Sequence, residues 1–274
     1  MLGELYHERK HKTWKDWLSK GKKSILITDP LTSFVYTESI HKLSSRVDKR
    51  RHKGEHVIMV TSLLENEGKS TVAVNLALSM AKKGKKVLLI DADMRKPACH
   101  LILGVSNKLP GLADILHENA SLNECVHAME SSGLRVMTTK RSQSTATNLL
   151  NSHAMEQLLE SAAAKYDIVV VDTPPMSMAP DAECISEFAD ASLLVVRQNE
   201  ALVDDLEEAT AVLEKSDSHL LGCVLNNVYG ANHFAPAFGY GAYGYGRYGR
   251  YGKYGKYGYG KYGYGKTSKS EEKA

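Results

Sequence analysis

A chain of 274 residues with 43% hydrophobic content is long enough for one sizeable domain and a small appendage. Its formal net charge of +3 hides an acidic body between two basic arms, with 13 Lys/Arg against 7 Asp/Glu in residues 1–55, 14 against 23 in 56–238 and 8 against 2 from 239 onward. No apolar run approaches the ~18 residues of a membrane span, the N-terminus lacks the apolar stretch of a signal peptide, and Cys99, Cys125, Cys184 and Cys223 form no C-x-x-C pair, so a membrane-spanning protein, a disulfide scaffold and a zinc ribbon are not expected. The chain reads as cytoplasmic with reduced thiols. A basic arm implies either an anionic partner or simple solvation, and composition leaves both open.

In chain order, a basic segment with Trp14 and Trp17 leads to "TDPLTSFVYTESIHKLSSRVDKRR", which reads as an extended piece and then a helix. From His56 to Tyr229 the apolar runs "HVIMVTS", "KKVLLIDAD", "LRVMTT", "DIVVVDTPP", "ASLLVVRQ" and "LLGCVLNNV" read as strands. Helical patterns fall between them at Ser70–Lys83, Leu112–Met129 (broken near Asn119), Asn148–Lys165, Ala182–Phe188 and Ala201–Lys215. Near-continuous apolar strands are covered on both faces. The alternation predicts an α/β fold, a parallel β-sheet flanked by helices on both faces. Past Tyr229 the periodicity stops, and "YGYGRYGRYGKYGKYGYGKYGYGK" (243–266) has no aliphatic residue to bury, the composition of a disordered tail. The expected division is an N-terminal arm and helix (1–55), the α/β domain (56–230) and a Tyr/Gly/Lys-rich tail (231–274).

Ligands of open α/β sheets bind beyond the carboxyl ends of strands, so the residues that follow each strand carry the signal. "TSLLENEGKST" places Gly68-Lys69-Ser70-Thr71 between a strand and a helix, the context of a phosphate-binding loop. The loop from Glu67 through Gly68, Lys69, Ser70 and Thr71 would cradle a nucleotide, with Lys69 bridging phosphate oxygens and the Ser70 hydroxyl on Mg²⁺. The first glycine of the usual G-x-x-x-x-G-K-[ST] pattern is Leu63 here. "VLLIDADMRKP" ends the second strand with Asp91 and Asp93, and "IVVVDTPP" ends another with Asp172. Any one of these is ordinarily a strand-end cap or turn former. Clustered at neighbouring strand ends they repel one another unless a cation sits among them. A nucleotide with Mg²⁺ is the expected ligand.

The series GKST, "LLIDADMRKP" and "DIVVVDTPP" resembles the bacterial tyrosine kinases (BY-kinases) of capsular and exopolysaccharide systems, members of the deviant P-loop ATPases that include the Min and Par proteins. Asp91, Asp93 and Arg95 match that family's D-x-D-x-R motif, and the similarity runs from about Asp29 to Tyr229, with "GLADIL" and "GCVLNNV" included. The resemblance implies phosphoryl transfer from ATP-Mg²⁺ to tyrosine. Lys69 would stabilise charge on the β- and γ-phosphates, Asp91 would orient or deprotonate the phenol, and Asp93 would support Asp91 or a metal-bound water. Ser70 and Asp172 would hold Mg²⁺. Asn226 falls where relatives place an asparagine against the base, and Arg95 would contact phosphate or brace its loop. Asp181 and Arg197 also fall where relatives carry such residues, with no role assigned.

Members of the family end in a tyrosine cluster. That makes Tyr240, Tyr243, Tyr245, Tyr248, Tyr251, Tyr254, Tyr257, Tyr259, Tyr262 and Tyr264 the implied phosphoacceptors. A Gly-rich chain of about 30 residues spans roughly 30 Å, enough for transfer in trans between protomers. Each phosphate adds about −1.5 to −2 charges, so a few would reverse the tail's sign and switch self-association. The chain resembles the split form of the family, in which a separate membrane adaptor activates the kinase and recruits it to the inner face of the cell membrane. Nucleic acid is not the expected partner.

Three stretches depart from the family. Glu65 and Asn66 stand where relatives usually carry proline or glycine, so Asn66 is expected in a left-handed turn and Glu65 adds negative charge near phosphates. In "ESIHKLS", Glu38 is kept while His41 and Ser44 replace the arginines of E-x-x-R-x-x-R, which are linked to ring packing. "KRSQSTATNLL" stands where relatives have a proline-rich turn. Two other readings remain: a degenerate kinase or scaffold whose basic tail binds partners by charge and stacking, and a Min/Par-type ATPase switch. Against the switch, residues 61–67 hold no lysine.

Overall fold

The computed structural model describes residues 1–8, 24–106 and 109–229. In chain order these form β1 (Gly3–Tyr6), α1 (Phe34–Arg50), β2 (Val57–Ser62), α2 (Lys69–Lys82), β3 (Val87–Asp91), α3 (Cys99–Leu103), α4 (Leu112–Leu116), α5 (Leu122–Cys125), β4 (Val126–Met129), β5 (Leu134–Met137), α6 (Ala146–Leu150), α7 (His153–Ala163), β6 (Ile168–Asp172), α8 (Asp181–Ser186), β7 (Ala191–Arg197), α9 (Val203–Lys215) and β8 (His219–Val228). One sheet takes the order β1-β8-β7-β2-β6-β3-β5-β4. Every pair in it is parallel except β4 with β5. The expected α/β architecture is thus observed. Trp14, Trp17 and the ten tail tyrosines lie outside the described residues.

Successive residues of a strand point to opposite faces, and here both faces are covered. Ile58, Val60, Val87, Leu89, Ile168 and Val170 join one core with Ile40, Leu43 and Val47 of α1 and Val72, Leu76 and Met80 of α2. Their strand neighbours Val57, Met59, Leu88, Ile90, Val169 and Val171 join a second with Leu158 and Leu159 of α7 and Leu213 of α9. Strands buried on both sides need no polar alternation, which is why their sequences are unbroken apolar runs.

Three elements differ from the expectation. β1 was expected to be part of a basic arm; instead Leu2 and Leu5 are buried, and Gly3 and Glu4 pair with Val224 and Leu225. The helical pattern Leu112–Met129 resolves into α4, α5 and the antiparallel edge strand β4, where Val126 faces Met137 and Met129 faces Leu134. An open sheet edge recruits this short segment, and tertiary pairing overrides local periodicity. The pattern at 148–165 breaks where the Ser152 hydroxyl accepts a bond from the Met155 N–H and starts α7. On α1, the substituted positions turn toward α2: His41 Nδ1 lies 2.8 Å from Ser79 Oγ, and buried Ser44 accepts a bond from Lys83 Nζ at 3.0 Å. No described helix is long and apolar enough to cross a membrane.

Candidate active site

The carboxyl ends of β2, β3 and β6 lie side by side, since β6 pairs with both others and Asp91 stands opposite Asp172. The chain leaves β2 through 63–68 and enters α2 at Lys69. Two residues make this turn: Asn66 at φ 64° and Gly68 at φ 90°, the first bearing out the left-handed turn expected there. A Cβ on Gly68 would lie 2.3 Å from Asn226 Nδ2, so only glycine fits between loop and β8. Asn226 Nδ2 donates to the Glu67 carbonyl at 2.8 Å. The Glu67 carboxylate is also taken up within the protein, accepting from Leu64 N–H at 2.7 Å and Arg197 N–H at 3.1 Å. Burial raises its pKa against the opposing pull of those N–H groups. Both side chains therefore brace the loop.

Lys69 begins α2, where unpaired N–H groups and the helix dipole favour an anion. Its ammonium donates to Asp93 Oδ2 at 2.7 Å and to Ser70 Oγ at 3.2 Å, and lies 3.8 Å from Asp172 Oδ1. Burial alone would lower the lysine pKa, but Asp172 and Asp93 outweigh it and raise it. The other oxygen of Asp93 accepts from the Lys96 and Arg95 N–H groups at 2.8 and 3.3 Å. This ties the loop after β3 to the lysine.

Asp91 and Asp172 are fully buried. Asp91 Oδ2 accepts from the N–H groups of Ala98 and Cys99 at 3.1 and 3.0 Å. Asp172 Oδ2 accepts from Cys99 Sγ at 3.5 Å. Oδ1 of each carboxylate has no hydrogen-bond partner. Burial raises both pKa values, with Asp172 adding to the effect on Asp91 and Lys69 opposing it on Asp172. An orphaned buried carboxylate oxygen is costly unless it holds a proton or a cation. These two oxygens, the one on Asp172 also 3.8 Å from the Lys69 ammonium, and the Ser70 hydroxyl are oxygen donors of the kind a hard cation such as Mg²⁺ takes, with the Cys99 thiol beside the carboxylates.

Lys69, Ser70, Asp91, Asp93 and Asp172 thus converge, while Asn226 and the Glu67 side chain are bonded to the loop itself. Sequence reading missed Cys99, whose ligand atom lies within 4.8 Å of those of Asp91 and Asp172. Burial, Asp91 and Asp172 raise its thiol pKa well above the ordinary range. Its one sequence signal is its place at the start of a helix soon after D-x-D. Arg95 pairs with Asp181 through Nε–Oδ2 at 2.8 Å and Nη2–Oδ1 at 3.1 Å, and Thr147 Oγ1 closes the knot at 2.9 and 2.6 Å. Of its two expected roles, the brace is the one this geometry fills. Glu65 meets Lys96 at 2.5 Å on the rim.

Comparison with known proteins agrees with this geometry. Residues 56–213 match the AAA domain family. The chain is 37% identical over 187 residues to tyrosine-protein kinase YwqD of Bacillus subtilis, covering 68% of this chain and 77% of that protein. It is 32% identical over 193 residues to tyrosine-protein kinase CpsD of Streptococcus agalactiae, covering 70% and 83%. The kinase domain of Escherichia coli tyrosine kinase ETK superposes with a TM-score of 0.73 at 27% identity, over 90% of this chain and 94% of that one. With its P-loop fold, its D-x-D-x-R loop and these relatives, the chain belongs to the bacterial tyrosine-protein kinase family.

Proposed function

We propose that this chain transfers the γ-phosphoryl group of ATP to tyrosine hydroxyls in its own C-terminal cluster, and that it serves capsule or exopolysaccharide synthesis. The observation that carries the reading is the buried group formed by Lys69, Asp91, Asp93 and Asp172 at the start of α2, with one oxygen on each of Asp91 and Asp172 that accepts no hydrogen bond. Bound Mg²⁺ would neutralise phosphate charge, held by Asp172 and Ser70 with Asp91 beside them. The loop residues 67–71 would offer backbone N–H groups to the phosphates. Lys69 would exchange part of its contact with Asp93 for phosphate oxygens, and Asp93, still held by Lys96 N–H, would keep the ammonium near. Asp91 would position the incoming phenol, whose ordinary pKa near 10 makes it a weak nucleophile at neutral pH. A membrane-bound adaptor would bring the protein to the inner membrane face, and transfer between protomers would link phosphorylation to self-association.

The test is transfer of label from γ-labelled ATP with Mg²⁺ in wild type, Lys69→Ala and a chain truncated after Phe238, with and without the adaptor's cytoplasmic segment. Alkali-stable label in the full chain and its loss in both variants is the expected result. Nucleotide binding without label under either condition would instead favour the scaffold reading.

A further inference from the structure

A second group of ligating side chains lies at the opposite edge of the sheet. His52 and Glu55 sit at the two ends of the turn between α1 and β2, and His219 is the first residue of β8. The turn is tight: Glu55 N–H donates to the His52 carbonyl at 3.2 Å, with Gly54 at φ 102° between them. This brings residues three apart onto one side. The Glu55 carboxylate is fixed by one oxygen, which accepts from His52 N–H at 2.7 Å. Its other oxygen lies 3.2 Å from His219 Nδ1 and 4.0 Å from His52 Nε2. The two imidazoles stack with centroids 4.5 Å apart and an interplanar angle of 22°. One ligand atom from each of the three residues lies within 4.8 Å of the other two.

From this geometry we infer that His52, Glu55 and His219 bind a divalent transition-metal ion of the zinc type, as three protein ligands with a further position open to water. Two imidazole nitrogens and one carboxylate oxygen are the donors such ions prefer, whereas Mg²⁺ and Ca²⁺ favour oxygen alone. Ligand atoms on a tetrahedral ion lie roughly 3.4 Å apart, from metal–ligand lengths near 2.1 Å. The Glu55–His219 separation already matches. His52, with its side chain 73% exposed, closes the remaining distance by a ring rotation that turns it out of the stack with His219 and brings its lone pair to the ion. The carboxylate is held by the His52 N–H before metal arrives, the kind of outer contact that tunes affinity. His219 is anchored too, because its N–H donates to the Asp190 carbonyl at 2.9 Å. The ion clamps the turn after α1 to a strand 164 residues further along the chain, away from the strand ends that carry Asp91 and Asp172. The inference does not depend on the proposed kinase activity.

The test is Zn²⁺ titration of the full chain, free of any added histidine tag, in wild type, His52→Ala and His219→Ala, followed by calorimetry and by thermal midpoint. One equivalent should bind in the micromolar range and raise the midpoint. Each substitution should weaken that event roughly tenfold or more and remove the thermal gain. Zn²⁺ taken up by Asp91, Cys99 and Asp172 would register as a separate event that neither substitution alters. Because His52 is exposed, its alanine variant is expected to fold even if His219→Ala does not. Wild-type binding no tighter than about 1 mM, or binding unchanged in His52→Ala, would overturn the site.

Discussion

Strand β6 has an aspartate at each end, and the two differ in what they can bond. Asp167, before the strand, accepts from Lys86 N–H at 2.8 Å. At the same edge Asp190 accepts from both His56 and Val57 N–H at 2.7 Å. Asp172, at the far end, keeps one oxygen with no hydrogen bond and only the Lys69 ammonium 3.8 Å away, and Asp91 beside it also keeps one oxygen with no hydrogen bond. The cause is the polarity of a parallel sheet. Strand starts present N–H donors that a carboxylate can cap, whereas strand ends present carbonyls that offer it nothing. Acids at the starts are therefore satisfied by the backbone of the adjoining strand, whereas acids at the ends must reach the N–H groups of the loop beyond, as Asp91 does with one oxygen, and otherwise face lysine, protons or a cation. For an aspartate in a parallel sheet, which end it occupies separates scaffold from chemistry more sharply than burial does.

That division has consequences that can be measured. The largest effect is expected from Lys69→Met, which should reduce phosphoryl transfer on the order of 10²–10³-fold, read by label incorporation with circular dichroism as a check on folding. Asp190→Ala should do the reverse: a loss of about 2 kcal/mol in urea unfolding, from charge-assisted bonds to two N–H groups, with ATP affinity unchanged. Weakened ATP binding in that variant would erase the distinction between the edges.

Asp91→Asn should stabilise the chelator-treated, nucleotide-free protein, and the gap should widen as pH rises. At low pH the aspartate is protonated whether folded or unfolded. As pH passes the ordinary carboxylate range, the unfolded chain releases the proton while burial and Asp172 retain it in the folded one, so wild type loses stability that the amide variant keeps. Each tenfold rise in proton affinity corresponds to ~1.4 kcal/mol, read as thermal midpoint against pH. The smallest effect belongs to Lys96→Ala, which removes the rim pair with Glu65. With the lysine side chain 66% exposed, the loss should stay below about 1 kcal/mol and shrink with salt.

What was legible in the sequence follows burial. Six strands could be read directly because each carries a mostly apolar run, and the central ones are covered on both faces. β1 and β4, four residues each at the sheet edges, are too short and too partly exposed to leave a pattern. Gly68-Lys69-Ser70 and the three aspartates could be found because their chemistry depends on position after a strand, which is local. The Glu67 brace, the Cys99 thiol and the Arg95–Asp181 pair depend on residues 130, 73 and 86 positions away. No local pattern announces such contacts. The tyrosine cluster was legible from composition alone and lies outside the described residues.

The two aspartates of β6 also bear on tolerance to insertion and deletion. Asp167 engages Lys86 just before β3, and the carbonyl of Asp172 accepts from Ala92 N–H just after it at 2.8 Å. The neighbouring strands are thus pinned at both ends, over a span of roughly 17 Å at 3.3 Å per residue. Losing one residue from Ile168–Val171 would leave one pin out of reach and turn the remaining side chains to the wrong face. Within this segment valine and isoleucine can be exchanged with little consequence, but the count of residues cannot change: the strand acts as a gauge that sets the distance from the Asp167 pin to the buried carboxylates.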